Sequence, residues 1–467
     1  MVGGFISGYF EIGFKPGEPG YENCMTAILN SETDSAAEPA DNVVSLLDRI
    51  DLTDSNDTRS RDLHPSGAHS AQLHVAIVGT YTPTHCGIAT FTADVESLLK
   101  LQNMRVTVVP VVEIDGPPLA IRCDEQATYS AAADQLNALR CDVVLIQHEF
   151  GIFGGVAGGH LLYFTSRLDA PYVLTLHTVL PKFAANQALV LKRLCAGAAA
   201  VTVFTATARR LLLEQGLVPA HLMKLTPHGA PVELYEAVDV PAAKARMGLP
   251  RYGHVLSTFG LLSEGKGIET ALFALADIVT RHPRTTFVIA GRTHPDVLRS
   301  RGEQYRLRLE QLVFELGLFN HVVFIDRFVT VSELADLLRV TDVFCAPYWG
   351  QNQIVSGALT FALAAQCPVV STPFHYAQDV LAHGAGTLVG FGDHAAFSAA
   401  IEDLMVDGPK RQLALQSTAK ISTSMSWESV GQNLRTVLST ATQQRIRLGW
   451  RASPIGQGTA SSARRAL

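Results

Sequence analysis

The stretch HVAIVGTYTPTHCGIATFTADV (74–95) contains the unit that decides the fold, namely an apolar strand, a loop and an amphipathic helix. HVAIVG (74–79) is a short apolar run that ends at a glycine, and this pattern predicts a buried strand. Apolar residues beyond the loop recur at helical spacing and predict a helix with one apolar face. These residues are Ile88, Phe91, Val95, Leu98 and Leu99. A buried strand followed by such a helix is typical of a parallel sheet covered by helices.

The same unit recurs in two series along the chain. The first series contains the strand patterns RVTVVPVV, CDVVLIQ, PYVLTLH and AAVTVFT. A second series starts at HVLSTFG (254–260) and continues through TTFVIAG, HVVFIDR, DVFCAP and PVVST. We therefore predict an α/β fold with two doubly wound, Rossmann-like parallel-sheet domains at 73–240 and 252–425. A helix at 426–440 is expected to cross back to the first domain. Ligands bind at the carboxyl ends of such strands, so the two domains should face one cleft.

The two ends of the chain differ from its body. Residues 1–72 carry 12 acidic and 4 basic residues and lack an apolar period, so we predict a disordered acidic segment. Residues 441–467 are predicted to form a flexible, solvated tail, and its five arginines and one tryptophan leave weak peripheral membrane association as the alternative. The remaining body is close to neutral, which gives no reason to expect a nucleic-acid partner.

The overall composition narrows the class of protein further. No apolar run approaches the ~18 residues that span a bilayer, and no basic-then-apolar segment opens the chain, so we expect a cytoplasmic protein. The seven cysteines form no CxxC pair, and we predict free thiols and no metal site. The chain contains neither GxGxxG nor GxxxxGK[ST], which disfavours dinucleotide oxidoreductases and P-loop enzymes.

Polar residues of the first series follow its predicted strands. Gly87 ends the first loop and opens a helix, where backbone amides favour an anion, although a plain strand-to-helix turn explains it equally well. His148 and Glu149 begin the glycine-rich loop QHEFGIFGG and are candidates for an acceptor pocket. His177, in TLHTVLPK (175–182), is a candidate for contacting a sugar hydroxyl or developing charge.

The second series carries two candidate anion sites. In STFGLLSEGKGIETA (257–271), Lys266 stands at a helix entry, where amides and an ammonium group together suit a diphosphate. In the segment 348–386, Ser356 and Gly357 lie at a predicted helix start and form a second phosphate candidate. Asp379 falls in the next strand-to-helix unit. Ordinary helix capping remains an alternative for these polar residues.

Taken in order, these motifs resemble the retaining glycosyltransferases of family 4, the group 1 glycosyltransferases, over about 73–405. The first-domain segments VAIVGTYTPTHCGIATFTADV, QHEFGIFGG and TLHTVLP are similar to a subgroup of that family, and TPHGAP (226–231) resembles its PHG element. FGLLSEGKGIE, FVIAGRTHP and PVVSTPFHYAQDVL resemble the second-domain motifs. The resemblance implies a GT-B fold, a UDP-, GDP- or ADP-linked sugar donor, transfer with retention and no obligatory cofactor or metal. The implied acceptor is a glycan, a lipid or a small molecule.

The resemblance also implies roles for individual residues. Lys266 matches the lysine that binds the donor diphosphate, His177 the histidine near the transferred sugar and Gly87 the loop glycine near the diphosphate. The implied catalytic residues are His177, Lys266 and Gln353. From the resemblance and from positions at strand ends and helix starts together, the expected donor-binding set is Gly87, Gly260, Lys266, Arg292, Phe328, Gln353, Ser356, Gly357 and Asp379. Arg292 is included for its position alone, and Asp379 only falls near a family glutamate.

Two departures from the family pattern leave the donor and the rate open. Leu261 stands where members commonly carry an arginine, and Gln353 and Phe361 stand at the positions of two glutamates. Gln353 retains hydrogen-bonding groups for a sugar, whereas Phe361 has no acceptor for a ribose hydroxyl. Arg292 is a candidate source of positive charge. The alternatives are a GT-B-like binding or scaffold protein that has lost transfer, and a nucleotide-sugar epimerase that uses His148 and Glu149.

Overall fold

The computed structural model describes residues 72–84, 86–114 and 116–448. The predictions for residues 1–71 and 449–467 lie outside this range. No helix in the described ranges is long and apolar enough to cross a membrane.

The first domain is a seven-stranded parallel sheet with the order β3-β2-β1-β4-β5-β6-β7. Its strands are β1 (His74–Gly79), β2 (Arg105–Val112), β3 (Ile121–Arg122), β4 (Val143–His148), β5 (Tyr172–Leu176), β6 (Ala200–Val203) and β7 (Met223–Leu225). Its helices are α1 (Gly87–Leu101), α2 (Gln126–Ala138), α3 (Leu161–Thr165), α4 (Ala185–Ala196) and α5 (Ala206–Glu214). Strands β1, β4 and β5 are buried along their whole length, as the apolar runs predict for a sheet covered on both faces.

The second domain is a six-stranded parallel sheet with the order β10-β9-β8-β11-β12-β13. Its strands are β8 (His254–Phe259), β9 (Thr285–Ala290), β10 (Val322–Ile325), β11 (Val343–Ala346), β12 (Val369–Ser371) and β13 (Gly386–Leu388). The helices from the linker onward are α6 (Val240–Arg246), α7 (Ile268–Arg281), α8 (Pro295–Arg301), α9 (Gln304–Glu315), α10 (Val331–Val340), α11 (Gly357–Ala364), α12 (His375–Leu381), α13 (His394–Met405), α14 (Pro409–Ser424) and α15 (Trp427–Leu448).

The boundary between the domains lies earlier than the sequence predicts. Ala230, Leu234 and Ala243 are fully buried in the core of the second domain, so the chain leaves the first domain soon after β7 rather than near residue 240. The chain passes back to the first domain next to the place where it leaves it, as the hydrogen bond from the Ala230 amide to the Met425 carbonyl over 2.8 Å shows.

Helix α15 returns to the first domain, where Leu434, Val437 and Leu438 join the core around Val75 and Ile77. The helix continues to Leu448, so the prediction that it ends at 440 and that a flexible tail starts at 441 is wrong for 441–448. The physical reason is that Ala441, at 1% exposure, extends the same apolar face by one more turn.

Candidate active site

Each sheet reverses its strand order at one place, and these reversals position the loops with the candidate residues. The reversal lies between β1 and β4 in the first domain and between β8 and β11 in the second. Crevices at such reversals are where open α/β sheets bind ligands. Gly87, at the start of α1, Glu149, Lys266 and Gln353 lie in the segments that follow these four strands, respectively.

Lys266 is held beside the end of β8 by an aromatic ring. Its ammonium nitrogen lies 4.1 Å from the ring centroid of Tyr348, a cation–π distance, and a Cβ placed on Gly260 would lie 3.8 Å from it. Within the described ranges this ammonium has no carboxylate partner. Its charge therefore remains available to an anion at the strand ends.

The Lys266 loop is fixed by close contact with the loop after β11. Gly267 has a φ of 58°, and a Cβ there would lie 2.1 Å from the carbonyl oxygen of Pro347. Only glycine accommodates both this approach and this backbone conformation without strain. The Trp349 amide also donates to the Gly265 carbonyl over 3.0 Å. The two loops at the reversal of the second sheet are therefore joined.

Helix α11 begins at the second predicted phosphate site. Ser356 is buried, and its hydroxyl accepts from the Leu359 amide over 3.2 Å, so the side chain acts as the N-cap. The amides of Gly357 and Ala358 at the helix start have no intrahelical partner and suit an anion. The Gln353 side-chain amide donates to the Val355 carbonyl over 2.9 Å and orders the preceding loop.

His228 is a site residue that the sequence interpretation did not select. It follows β7, is 8% exposed, and its Nε2 lies 3.6 Å from the position of a Cβ on Gly357 of the other domain. Its ring belongs to an interdomain aromatic cluster, whose members are Phe91, His177, Phe204, His228, Phe361 and Trp427. The PHG element of TPHGAP was the signal in the sequence that marks this position.

His177 directly follows β5 and lies inside the same cluster. Its Nε2 lies 2.9 Å from the Gln147 side-chain oxygen, which accepts, so Nδ1 carries the lone pair. Burial is the main cause that lowers the pKa of His177 to about 3, and the nearby His228 and His148 add to this effect. A neutral imidazole suits a hydrogen bond from a sugar hydroxyl better than the neutralisation of developing charge, which was the other predicted role.

His148 does not reach a pocket, contrary to the prediction for the acceptor side. Its side chain is fully buried, packs against Phe150 and Phe153, and neither ring nitrogen has a hydrogen-bond partner. Burial lowers the pKa of His148 to about 4. Glu149 is half-buried, and its carboxylate accepts a hydrogen bond from the Gly151 amide over 2.6 Å. The partial burial raises the pKa of Glu149. This arrangement removes the adjacent pair on which the epimerase alternative relied.

Asp379 serves a contact between the domains. Its two carboxylate oxygens accept from the amide and the hydroxyl of Thr207, over 2.9 and 2.8 Å, at the start of α5. A carboxylate at a helix N-terminus is favoured electrostatically, and both oxygens are occupied in this way. The predicted donor contact of Asp379 is therefore replaced by a contact with the first domain.

The remaining predicted residues lie near the ends of strands or the start of a helix. Gly87 is the exposed first residue of α1, with open space where a Cβ would stand. Gly260 has a φ of 129° directly after β8, and Arg292 is exposed after β9. Phe328, which follows β10, is 46% exposed. Their donor contacts stay predictions.

Phe361 lies between the end of β8 and His228. Its ring is stacked on Phe259 at 6.3 Å and meets His228 edge-on at 6.1 Å. It therefore forms an apolar contact that joins Phe259 to His228. In the described part of the chain, no group of three His, Cys, Asp or Glu side chains is arranged to hold a metal.

The comparisons with known proteins agree with this geometry. The family model described as glycosyl transferases group 1 matches residues 253–407. The second domain matches the group 1 glycosyl transferases. The matched domain holds β8, Lys266 and the start of α11, and so contains both candidate anion sites.

Curated relatives match at low identity. A phosphatidyl-myo-inositol mannosyltransferase of Mycolicibacterium smegmatis is 28% identical over 222 residues, which cover 46% of this chain and 54% of the relative. A D-inositol 3-phosphate glycosyltransferase of Stackebrandtia nassauensis is 24% identical over 53% of this chain and 55% of the relative. The chain thus spans about half the length of these relatives.

Solved structures show the fold of both domains together. The Anabaena protein HepE in complex with UDP superposes with a TM-score of 0.62 at 18% identity and covers 79% of this chain and 100% of that one. A sucrose-phosphate synthase from Thermosynechococcus elongatus gives a TM-score of 0.63 at 18% identity, covering 81% and 100%. The two domains therefore form a GT-B fold. The narrower subgroup suggested by CGIATF and QHEFGIFGG stays a prediction.

Proposed function

We propose that this chain is a glycosyltransferase that moves a sugar from a nucleotide-sugar donor to a hydroxyl group of an acceptor, with retention of the anomeric configuration. The observation that carries the proposal is the unpaired Lys266 ammonium over Tyr348, at the strand ends of the domain that matches the group 1 glycosyl transferases. Structural neighbours solved with UDP and with UDP-glucose support a nucleotide-sugar donor.

The geometry supports a mechanism based on leaving-group stabilisation. The bond between the sugar C1 and the phosphate oxygen breaks, and the negative charge develops on the diphosphate. Lys266 and the free amides at the start of α11 stabilise that charge because they are positioned before reaction. The acceptor oxygen forms the new bond on the same face of the sugar, and its proton passes to the departing phosphate oxygen.

The first domain supplies the acceptor side in this proposal. The neutral Nδ1 of His177 accepts a hydrogen bond from a sugar hydroxyl. Contact between the domains excludes water around the reacting groups and so limits hydrolysis of the donor. The acceptor class, whether glycan, lipid or small molecule, is left to a screen of acceptors.

The test combines one variant with one product analysis. Lys266→Ala should reduce turnover about 100-fold or more, the range seen when one charge-stabilising group is removed. Lys420→Ala is the matched control, because Lys420 is an exposed lysine on α14 of the same domain. NMR of the product should show the donor's anomeric configuration. A Lys266→Ala enzyme with normal turnover, or an inverted product, would contradict the corresponding part of the proposal.

A second candidate is a binding protein without transferase activity, and Phe361 is the observation that favours it. Its ring fills a place between Phe259 and His228 and offers no acceptor for a ribose hydroxyl. Tight binding of a nucleotide sugar without transfer or hydrolysis, over a broad acceptor screen, would support this reading.

A further inference from the structure

His228 uses only one of its two ring nitrogens within the protein. Its Nδ1 lies 2.7 Å from the carbonyl oxygen of Gly229, the next residue. A carbonyl oxygen only accepts, so Nδ1 carries the proton, and the neutral ring has its lone pair on Nε2. The tautomer is thereby fixed by the backbone.

The free nitrogen of His228 is directed at the start of α11. It lies 3.6 Å from the position of a Cβ on Gly357, whose amide is unpaired within the helix. In the described ranges, both ring nitrogens of His148 are buried and lack a hydrogen-bond partner. The ring nitrogens of His228 are not among such buried, unpartnered atoms. Nε2 of His228 is therefore accessible to a ligand that reaches the helix start.

The surroundings of the ring are almost entirely apolar. The aromatic rings next to His228 are those of Phe91 on α1, Phe204 after β6, Phe361 on α11 and Trp427 on α15. Helix α11 and strand β6 carry no charged residue. The titratable side chain of the same cluster is His177, which is itself neutral. Along α1 and the segment 427–443 of α15, the charged residues are Asp94, Glu96, Lys100, Glu428 and Arg435. Glu96 is engaged by Lys100 and Tyr81, whereas burial and the nearby Glu233 carboxylate raise the pKa of Asp94 to about 7.

Resting on the proposed function, we propose that His228 is a proton-coupled contact of the donor diphosphate. When the diphosphate binds at the start of α11, Nε2 takes up one proton from solvent and donates it in a hydrogen bond to a phosphate oxygen. When the nucleotide leaves, the proton returns to solvent. His228 then contacts the diphosphate from the end of β7, beside the start of α11.

The electrostatics supply the reason for proton uptake. In the protein alone, burial lowers the pKa of His228 to about 4, and the Gly229 carbonyl only partly opposes this, so the ring is neutral near pH 7. A lone pair pointing at a phosphate oxygen is unfavourable, whereas an imidazolium there gains a charge-assisted hydrogen bond. A nearby anion in a water-poor site raises the pKa of an imidazole, so binding and protonation assist each other.

The experiment measures proton uptake on nucleotide binding by the full chain. UDP, GDP and ADP are titrated calorimetrically at about pH 6.5 in PIPES and in Bis-Tris, whose ionisation enthalpies differ. We expect the wild type to take up about one proton more than His228→Gln. The Gln variant places an N–H near the position of Nε2 and so donates without protonation. We also expect the wild-type Kd to weaken with rising pH more steeply than that of His228→Gln, by up to about tenfold per pH unit.

Two further variants separate contact from folding. His228→Asn retains a donor near Nδ1 for the Gly229 carbonyl but loses the group at Nε2, and it should bind the nucleotide at least tenfold more weakly. His221→Asn is the control, because His221 is exposed in the first domain, and it should behave as the wild type. Binding with equal proton uptake in the wild type and His228→Gln would overturn this inference and leave the proposed function intact. No binding of any of the three nucleotides would overturn both.

Discussion

The contact between Asp379 and Thr207 predicts how much one side chain contributes to holding the two domains together. Asp379→Ala removes both carboxylate oxygens, so the two Thr207 donors, at 2.9 and 2.8 Å, lose their acceptors. Hydrogen bonds to charged groups contribute roughly 1.5–3 kcal/mol, and the partial exposure of Asp379 places the expected loss near the lower end, at about 1.5 kcal/mol.

A double-mutant cycle measures this contribution directly. Thr207→Val removes the hydroxyl donor and leaves the amide, and we expect it to lower the free energy of unfolding by about 1 kcal/mol. The double variant should be less destabilised than the sum of the single variants, with a coupling of about 1 kcal/mol, because both changes remove the same hydrogen bond. Denaturant unfolding gives the energies, and small-angle scattering reports whether the domains separate.

The control for this cycle is an exposed ion pair elsewhere in the second domain. Asp403→Asn removes the surface partner of Lys410 and should cost less than about 0.5 kcal/mol. A coupling energy between Asp379 and Thr207 that is no larger than this, together with an unchanged scattering profile, would refute the assignment of Asp379 to domain contact.

Three further predictions concern the histidines, one glycine and the returning helix. Folding lowers the pKa values of His148, His177 and His228 from the ordinary histidine value of 6.5 to about 4, 3 and 4. Below pH 6.5 the unfolded chain therefore binds more protons than the folded protein, and the free energy of unfolding should fall as the pH drops from 6.5 towards 4. His148→Leu should reduce this loss of unfolding free energy by up to about 3 kcal/mol, measured by denaturant unfolding at pH 4.5. An unchanged pH profile would exclude His148 as a cause of the loss. Gly267→Ala should lower the melting temperature and raise the KM for the donor, because a Cβ at 2.1 Å from the Pro347 carbonyl displaces the Lys266 loop, and normal values of both would contradict this role. Leu438→Ala should cost about 2–5 kcal/mol in denaturant unfolding, because Leu438 is fully buried against the first domain; a loss below about 1 kcal/mol would show that α15 is not held there.

The fold was predictable from the sequence because it depends on local patterns. The apolar runs that become β1 and β8, each followed by a helix pattern, already imply parallel sheets, and the structure and its solved neighbours confirm two such domains with a GT-B fold. The domain boundary was harder to predict from the sequence. Ala230 and Ala243 are small residues in a stretch broken by Pro and Gly, and only packing reveals which core they join.

The candidate site was predictable in part, for a related reason. Lys266 lies where a strand-loop-helix pattern places it, so a local signal located it. Nothing local indicates that the ring of His148 turns inward, because its burial arises from Phe150 and Phe153 folding over the end of β4. Asp379 likewise has an ordinary place on α12 until Thr207 of the other domain approaches it.

Phe361, which departs from the family pattern, is in contact with His228, which the sequence interpretation did not select. Phe361 looks like a loss when it is considered alone, because phenylalanine cannot hydrogen-bond to a ribose. In the structure its ring is one wall of the environment around His228, and a carboxylate at that position would stabilise an imidazolium in the absence of any ligand. With phenylalanine there, the His228 ring stays neutral until an anion arrives. Phe361 and His228 therefore make sense as a pair, and Phe361→Glu should raise the pKa of His228 and reduce the proton uptake that accompanies nucleotide binding.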